Sequence, residues 1–174
     1  MQQHPFDVLN IASLHGHLIF TPCPSTQGTT MEDALKTLHN AGTTALITLM
    51  PDAELAQNGV SSLPADCQTQ GLEWFHLPVA DESVPQNDFE ERWAKHLPRI
   101  LSLLDANSTI AIHCKGGSGR TGLIAARILM ARGVPFQTAI ELIQTLRPRA
   151  IRHPAHLAYL QKFTPMPAAS ANPL

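Results

Sequence analysis

Between Ser108 and Arg132 the chain passes from a short β-branched run, Ser108-Thr109-Ile110-Ala111-Ile112, into Thr121 to Arg132, a segment that is apolar on nearly every face. The first reads as a buried strand and the second as a buried helix. His113-Cys114-Lys115-Gly116-Gly117-Ser118-Gly119-Arg120 joins them. A buried strand feeding a buried helix through a glycine-rich turn requires a layered α/β domain in which both elements are covered.

That turn has chemical content. A helix start leaves backbone N–H groups unpaired and carries the positive end of the helix dipole, and glycines let successive amides converge on one anion. Lys115, Gly116, Gly117, Ser118 and Gly119 therefore form a candidate oxyanion nest. Cys114 stands where this field favours thiolate: cysteines titrate near about 8.5 when free and at about 3.5 to 7.5 beside helix starts and cations. Arg120 supplies a cation and can grip two phosphate oxygens in a fork, which lysine cannot do. Thr121 can donate a hydrogen bond to the sulfur, and His113 suits support of the loop better than base catalysis. Together these residues describe cysteine attack on phosphorus. The plain alternative is an inert buried thiol beside a turn that binds nothing.

Gly117-Ser118-Gly119-Arg120-Thr121-Gly122 also fits the dinucleotide fingerprint, with Glu141 at the spacing of its acidic partner. That acid should end a second strand. Glu141 instead lies among Ala139, Ile140, Leu142, Ile143 and Leu146, which recur at helical spacing. A Walker phosphate loop is excluded because no Gly-Lys-Ser/Thr occurs.

The rest of the chain alternates strands with helices. Leu18 to Phe20 is a strand ended by Thr21-Pro22-Cys23-Pro24. Thr30 caps a helix from Met31 to Asn40, and Ala45 to Leu49 is a second buried strand. Short helical pieces follow between Asp52 and Gly71, broken at Gly59 and Pro64, and lead to a third strand through Leu72, Trp74, Phe75 and Leu77. Phe89, Trp93, Leu97, Ile100, Leu101 and Leu104 mark one face of a long helix that Pro98 should kink or divide. Helices near 121–132, 135–147 and 154–163 complete the pattern. It predicts an α/β fold with a mainly parallel central sheet and helices on both faces, its ligand site beyond the carboxyl ends of the strands.

The chain has 174 residues, 44% of them hydrophobic, enough for one substantial core, and a single domain over 1–174 is expected. A formal net charge of −2 gives no general attraction to nucleic acid or to an anionic membrane. The N-terminal MQQHPFDVLN lacks a signal-peptide pattern and no stretch approaches a membrane span, so a cytoplasmic location is expected. Cys23, Cys67 and Cys114 form neither a disulfide framework nor a zinc pattern, which fits a reducing compartment. His15 with His17 and His153 with His156 lack accompanying Cys, Asp or Glu, and read as solvated positions rather than metal ligands.

Cleaving a phosphate ester leaves an alkoxide or phenoxide, so a well-placed carboxylic acid accelerates the step by about 100- to 10,000-fold. Asp81, in the loop Pro78-Val79-Ala80-Asp81-Glu82-Ser83-Val84-Pro85, is the first candidate. Glu82 competes with it, and Asp88 better suits the first turn of the following helix. Cys114 attack with Asp81 as acid, followed by hydrolysis of the cysteinyl phosphate with Asp81 as base, needs no metal and no cofactor.

The segment HCKGGSGRTG resembles the signature of cysteine-dependent protein tyrosine phosphatases: His-Cys, five residues, Arg, then Ser or Thr. The likeness is to small dual-specificity enzymes of the kinase-associated phosphatase type, and extends more weakly to GHLIFTPCP, LPVADESVP and RPRAIRHPAHLAYLQKF. It implies that Asp81 lies in the acid loop and that the partner is a phosphorylated protein or peptide, with dual specificity. Such enzymes often carry a water-placing glutamine in the last helix, where this chain has His156. Arg149 and Arg152 are further candidates to extend the anion site. Phosphoinositide phosphatases carry lysine at the position of Lys115, but also a second basic residue where this chain has Ser118, so a phosphoinositide ranks below a phosphoprotein. Two other classes stay open: a phosphate-binding module without turnover, and a sulfur-transfer or arsenate-reducing loop, for which no partner thiol is obvious while the sequence leaves Cys23 and Cys67 unplaced.

Overall fold

Alternate strand residues part into two cores. Leu18, Phe20, Ala45, Ile47, Ile110 and Ile112 join one apolar cluster, while Ile19, Leu46 and Ala111 join another. Successive side chains of a strand face opposite sides, so this division marks a sheet covered on both faces. The computed structural model describes residues 3–11 and 14–164, so the ends of the expected 1–174 domain lie outside the described residues.

The elements run β1 (Asp7–Leu9), β2 (His17–Thr21), α1 (Met31–Asn40), β3 (Thr43–Thr48), α2 (Asp52–Gln57), α3 (Leu63–Thr69), β4 (Glu73–His76), α4 (Asn87–Asp105), β5 (Thr109–His113), α5 (Gly119–Ala131), α6 (Phe136–Leu146) and α7 (Pro154–Gln161). Sheet order is β1-β2-β5-β3-β4. Only β1 is antiparallel, at one edge; the other three pairings are parallel. The fold is thus the expected α/β arrangement. Helices α1, α2 and α3 cover one face through Leu35, Leu38, Leu55 and Leu63. Helices α4 to α7 cover the other through Phe89, Trp93, Ile124, Ile143 and Leu160.

The strand that precedes the glycine-rich loop is central. Registers pair Thr21 with His113, His113 with Thr48, and Thr48 with His76. The last row at the carboxyl end of the sheet is therefore polar, and Thr21, Thr48 and His113 in it are buried.

Two sequence expectations are corrected. Pro98 does not divide α4, which runs unbroken for 19 residues. Pro98 and Ala94, whose carbonyl loses its N–H partner there, are exposed, so water can satisfy that oxygen. Pro64 does not break a helix but sits in the first turn of α3, where a missing N–H costs nothing. The cap on α1 is as expected: Thr30 Oγ1 accepts from the Asp33 amide at 3.0 Å.

Helices α4, α5 and α7 are tied by one guanidinium. Arg127 donates to Glu90 Oε1 and to the Tyr159 hydroxyl, each at 2.6 Å, and that hydroxyl donates to Glu90 Oε2 at 2.6 Å. Its carbon lies 4.3 Å from the Trp93 ring centre and 3.8 Å from that of Phe163. Replacing Arg127 by methionine keeps the stem but strands Glu90 and Tyr159. Urea unfolding should show a loss of about 2–4 kcal/mol, as for a broken part-buried pair.

Candidate active site

Loop 114–118 is held from behind by its carbonyls. The Cys114 carbonyl accepts from His113 Nδ1 at 3.0 Å, that of Lys115 from the Cys23 amide at 3.1 Å, and that of Gly117 from Arg147 Nε at 3.1 Å. The Ser118 carbonyl accepts from the Gly122 amide at 2.7 Å, inside α5. In a trans peptide the N–H points opposite to the preceding C=O, so each outward carbonyl turns the next amide the other way. The amides of Lys115, Gly116 and Ser118 are set by this means, and that of Gly117 donates to Cys114 Sγ at 3.2 Å.

Gly117 cannot carry a side chain. Its φ is +79°, and a Cβ there would lie 2.6 Å from the Thr21 carbonyl carbon and 2.7 Å from Pro22 N. The loop rests directly on the chain leaving β2. Ser118 begins α5 without a side-chain cap, and no acid occupies the first turn, so its opening amides and dipole are left for an anion.

Cys114 is buried, with 4% of its surface exposed. Besides the Gly117 amide, its sulfur accepts a hydrogen bond from Thr121 Oγ1 at 3.3 Å. Two donors thus converge on the one sulfur. Burial pushes the thiols of Cys23 and Cys67 each up to about 12.

Arg120 is clasped by a residue outside the sequence expectations. Its NH1 and NH2 donate to Glu54 Oε1 and Oε2, both at 2.8 Å, and NH1 also donates to the Val79 carbonyl at 2.9 Å. Burial opposes the charge of Arg120, but the Glu54 bonds and the neighbouring Cys114 and Asp81 outweigh it and raise its value. Asp81 Oδ1 lies 3.5 Å from Arg120 NH2 and accepts the Glu82 amide at 3.0 Å, with the side chain 72% exposed.

A cleft of about 720 Å³ opens beside Arg120, between the Asp81–Val84 loop and the start of α7, where Ala155, His153 and His156 form its wall. A second, of about 430 Å³, lies on the other side of Asp81, between α2 and Lys115. Asp88 faces Arg92 one turn on, as a helix-start acid should. His153 caps α7 by accepting the Ala155 amide. Burial, and then the charge of His153, lower His156, partly offset by the Ser83 backbone.

The model of the family described as "Tc-R-P: Polymorphic toxin system, DSP-PTPase phosphatase" matches residues 24–134. The chain belongs to this phosphatase family. It is a phosphoester hydrolase of the protein tyrosine and dual-specificity class. Protein tyrosine phosphatase type IVA 3 of Mus musculus is 28% identical over 136 residues, which cover 73% of this chain and 76% of the mouse protein. The crystal structure of kinase associated phosphatase, with its catalytic-site cysteine changed to serine, superposes with a TM-score of 0.83 at 21% identity, over 94% of this chain and 95% of that one. PTPMT1 in complex with PI(5)P gives 0.70 at 18% identity, over 91% and 93%. These two structures share the fold.

The phosphatase brings Cys114, Arg120, Thr121 and Asp81 together, with Glu82 and His156 on the wall of the larger cleft and Lys115 on the smaller. Arg149 and Arg152 were candidates to extend the anion site; Arg152 instead bonds back to the Pro148 carbonyl, and the arginine that reaches the loop is Arg147. Glu54 and Arg147 carried one available signal: each lies near a boundary between elements, and Glu54 follows the carboxyl end of a parallel strand, where ligand sites gather.

Burial pushes the His113 ring down to about 4, with the Cys114 carbonyl opposing the fall and the charges of His4, Arg120 and His76 adding to it. Between the ordinary histidine value and about 4 the unfolded chain therefore binds a proton that the folded chain excludes. This contribution is complete above about pH 6.5 and is lost as the pH falls through 4, amounting to roughly 3 kcal/mol. Urea midpoints should fall across that window, and less steeply in His113→Asn.

Proposed function

We propose that the chain hydrolyses phosphate monoesters on proteins or peptides, with Cys114 as nucleophile, Asp81 as acid and then base, and Arg120 with the amides of residues 115–119 as the phosphate cradle. The observation that carries this reading is the sulfur of Cys114 receiving both the Gly117 amide and the Thr121 hydroxyl, with Arg120 fixed between Glu54 and Asp81. In the first step the thiolate electron pair forms the S–P bond while the P–O bond to the leaving group breaks. The Asp81 carboxyl gives its proton to that oxygen. In the second, ionised Asp81 takes a proton from water, whose oxygen forms the new P–O bond as the S–P bond breaks. Thr121 receives the returning thiolate, and His156, facing the larger cleft, holds the water.

A protein substrate is favoured by the lining of the larger cleft, where Asp81 and Glu82 would repel additional phosphates while Val84 and Ala155 suit an aryl ring or a neighbouring side chain. Lys115, exposed beside the smaller cleft, favours a phosphoinositide as the second reading. We further propose that residues 1–174 act as one domain, dual in specificity, in a reducing cytoplasmic setting without stable membrane attachment. Among the described residues no helix is long and apolar enough to cross a membrane.

Cys114→Ser should abolish turnover yet retain binding of a phosphopeptide. Asp81→Asn should slow an alkyl or peptide phosphate by about 100- to 10,000-fold but an activated aryl phosphate by far less, since only poor leaving groups need the proton. Equal losses would move the acid to Glu82. A phosphotyrosine peptide should be hydrolysed at least about tenfold more efficiently than a soluble phosphoinositide, about 1.4 kcal/mol in the barrier. The reverse order would select the phosphoinositide, and a wild type that binds but never releases phosphate would make the chain a recognition module.

A further inference from the structure

Beneath the loop, three side chains form a hydrogen-bonded series that ends at the nucleophile's own peptide. Trp74 Nε1 lies 2.8 Å from Thr48 Oγ1, Thr48 Oγ1 lies 2.7 Å from His113 Nε2, and His113 Nδ1 lies 3.0 Å from the Cys114 carbonyl. Thr48 and His113 are register partners on β3 and β5, both fully buried, and Trp74 stands half-buried on the adjacent β4.

The direction of every proton in the series is fixed. A carbonyl can only accept, so His113 Nδ1 carries the hydrogen. Burial keeps the ring neutral, leaving one N–H, so Nε2 must accept. Thr48 therefore spends its single hydroxyl hydrogen on Nε2. Its oxygen lone pair is then free for the indole N–H of Trp74, which can only donate. For a neutral ring, no other assignment satisfies all three contacts.

We infer that Thr48, backed by Trp74, is a positioning residue for the nucleophile: it locks His113 in the Nδ1–H form and so holds the Cys114 carbonyl outward. Because the next amide points opposite to that carbonyl, the lock also turns the Lys115 N–H towards the anion side of the loop. A hydrogen bond on the carbonyl polarises the peptide and makes that N–H a better donor. Without the Thr48 hydroxyl, His113 can take the other tautomer. Its Nδ1 lone pair would then face the Cys114 carbonyl, and the clamp becomes a repulsion.

This inference rests on the phosphatase reading for its effect on turnover, but its central test needs no substrate. Alkylation of Cys114 by iodoacetamide, followed by mass spectrometry of its peptide from pH 5 to 9, reports the thiolate directly. Thr48→Val, close to isosteric, should slow alkylation and kcat/KM by about tenfold at pH 6, the rate equivalent of one buried hydrogen bond, with the defect shrinking as pH rises. Thr48→Ser should recover to within about twofold, and Trp74→Phe should lose about threefold. Nitrogen-15 spectra of wild type should show His113 as the Nδ1–H tautomer.

An Nε2–H tautomer in wild type would overturn the inference whether or not any variant folds. So would a Thr48→Val protein with an unchanged alkylation profile, or a pH-independent defect that Thr48→Ser fails to repair. A wild type without phosphatase activity whose alkylation still responds to Thr48 would remove the proposed function and leave the relay standing.

Discussion

The arrangement of the loop depends on where its carbonyls are sent. An anion cradle built from backbone amides cannot be specified by side chains pointing into it, since glycine supplies none. It is specified from outside, by donors that capture the opposite ends of the same peptides. Here those donors come from separate parts of the fold: the His113 ring from the central strand, the Cys23 amide from the chain leaving β2, Arg147 from the end of α6, and the Gly122 amide from α5. Arg147 also reaches Asp7 on β1 at 2.8 Å, so the edge strand is linked to the glycine turn through one side chain. Each donor satisfies an oxygen that would otherwise be costly to bury, so folding and site assembly use the same bonds.

Arg120 obeys similar logic with charges. Its two terminal nitrogens meet both oxygens of Glu54, a fork-to-fork pair in which Arg120 is 5% and Glu54 18% exposed. Burying such a pair is expensive, and its geometry contributes orientation more than stability. The Val79 carbonyl fixes the guanidinium from the strand-to-loop side, just before the segment that carries Asp81. Asp81, mostly exposed and farther away, meets Arg120 without being clasped by it. In the proposed mechanism, this division between a rigidly paired carboxylate and a loosely held one assigns orientation to Glu54 and proton transfer to Asp81.

Much of this was legible in the sequence because it is local. The strand, glycine turn and helix between Thr109 and Ala131 are contiguous, and the spacing from Cys114 to Thr121 is a property of one turn and one helix start. Asp81 became a candidate because its loop follows a strand, and the resemblance ranked it above Glu82. Glu54 meets Arg120 across 66 positions and Thr48 meets His113 across 65, so neither partnership leaves a periodic trace. Glu54 lies in α2, a helix of six residues whose composition suits any surface turn. Thr48 looks like an ordinary β-branched strand residue, and only the register of β3 against β5 makes it a partner of the histidine. Pro98 misled for the converse reason: proline predicts a break locally, and an exposed carbonyl together with the packed Trp93, Ile100 and Leu104 preserves the helix.

The polar row at the carboxyl end of the sheet explains how the loop is held tightly against a buried strand end. Apolar residues at Thr21, Thr48 and His113 would pack as well against the helices, but they would offer nothing to the chain that crosses above them. Thr21 instead donates to the Pro5 carbonyl at 2.8 Å and meets His4 Nε2 at 2.7 Å, fastening the segment on which Gly117 rests. The row therefore trades hydrophobic burial for a set of directional bonds, each satisfied by a partner on another strand or loop. The apolar layers beneath it, one on each face of the sheet, supply the cohesion that this exchange gives up. A glycine turn laid on an apolar strand end would have no reason to prefer one peptide orientation over another; laid on this row, it has one.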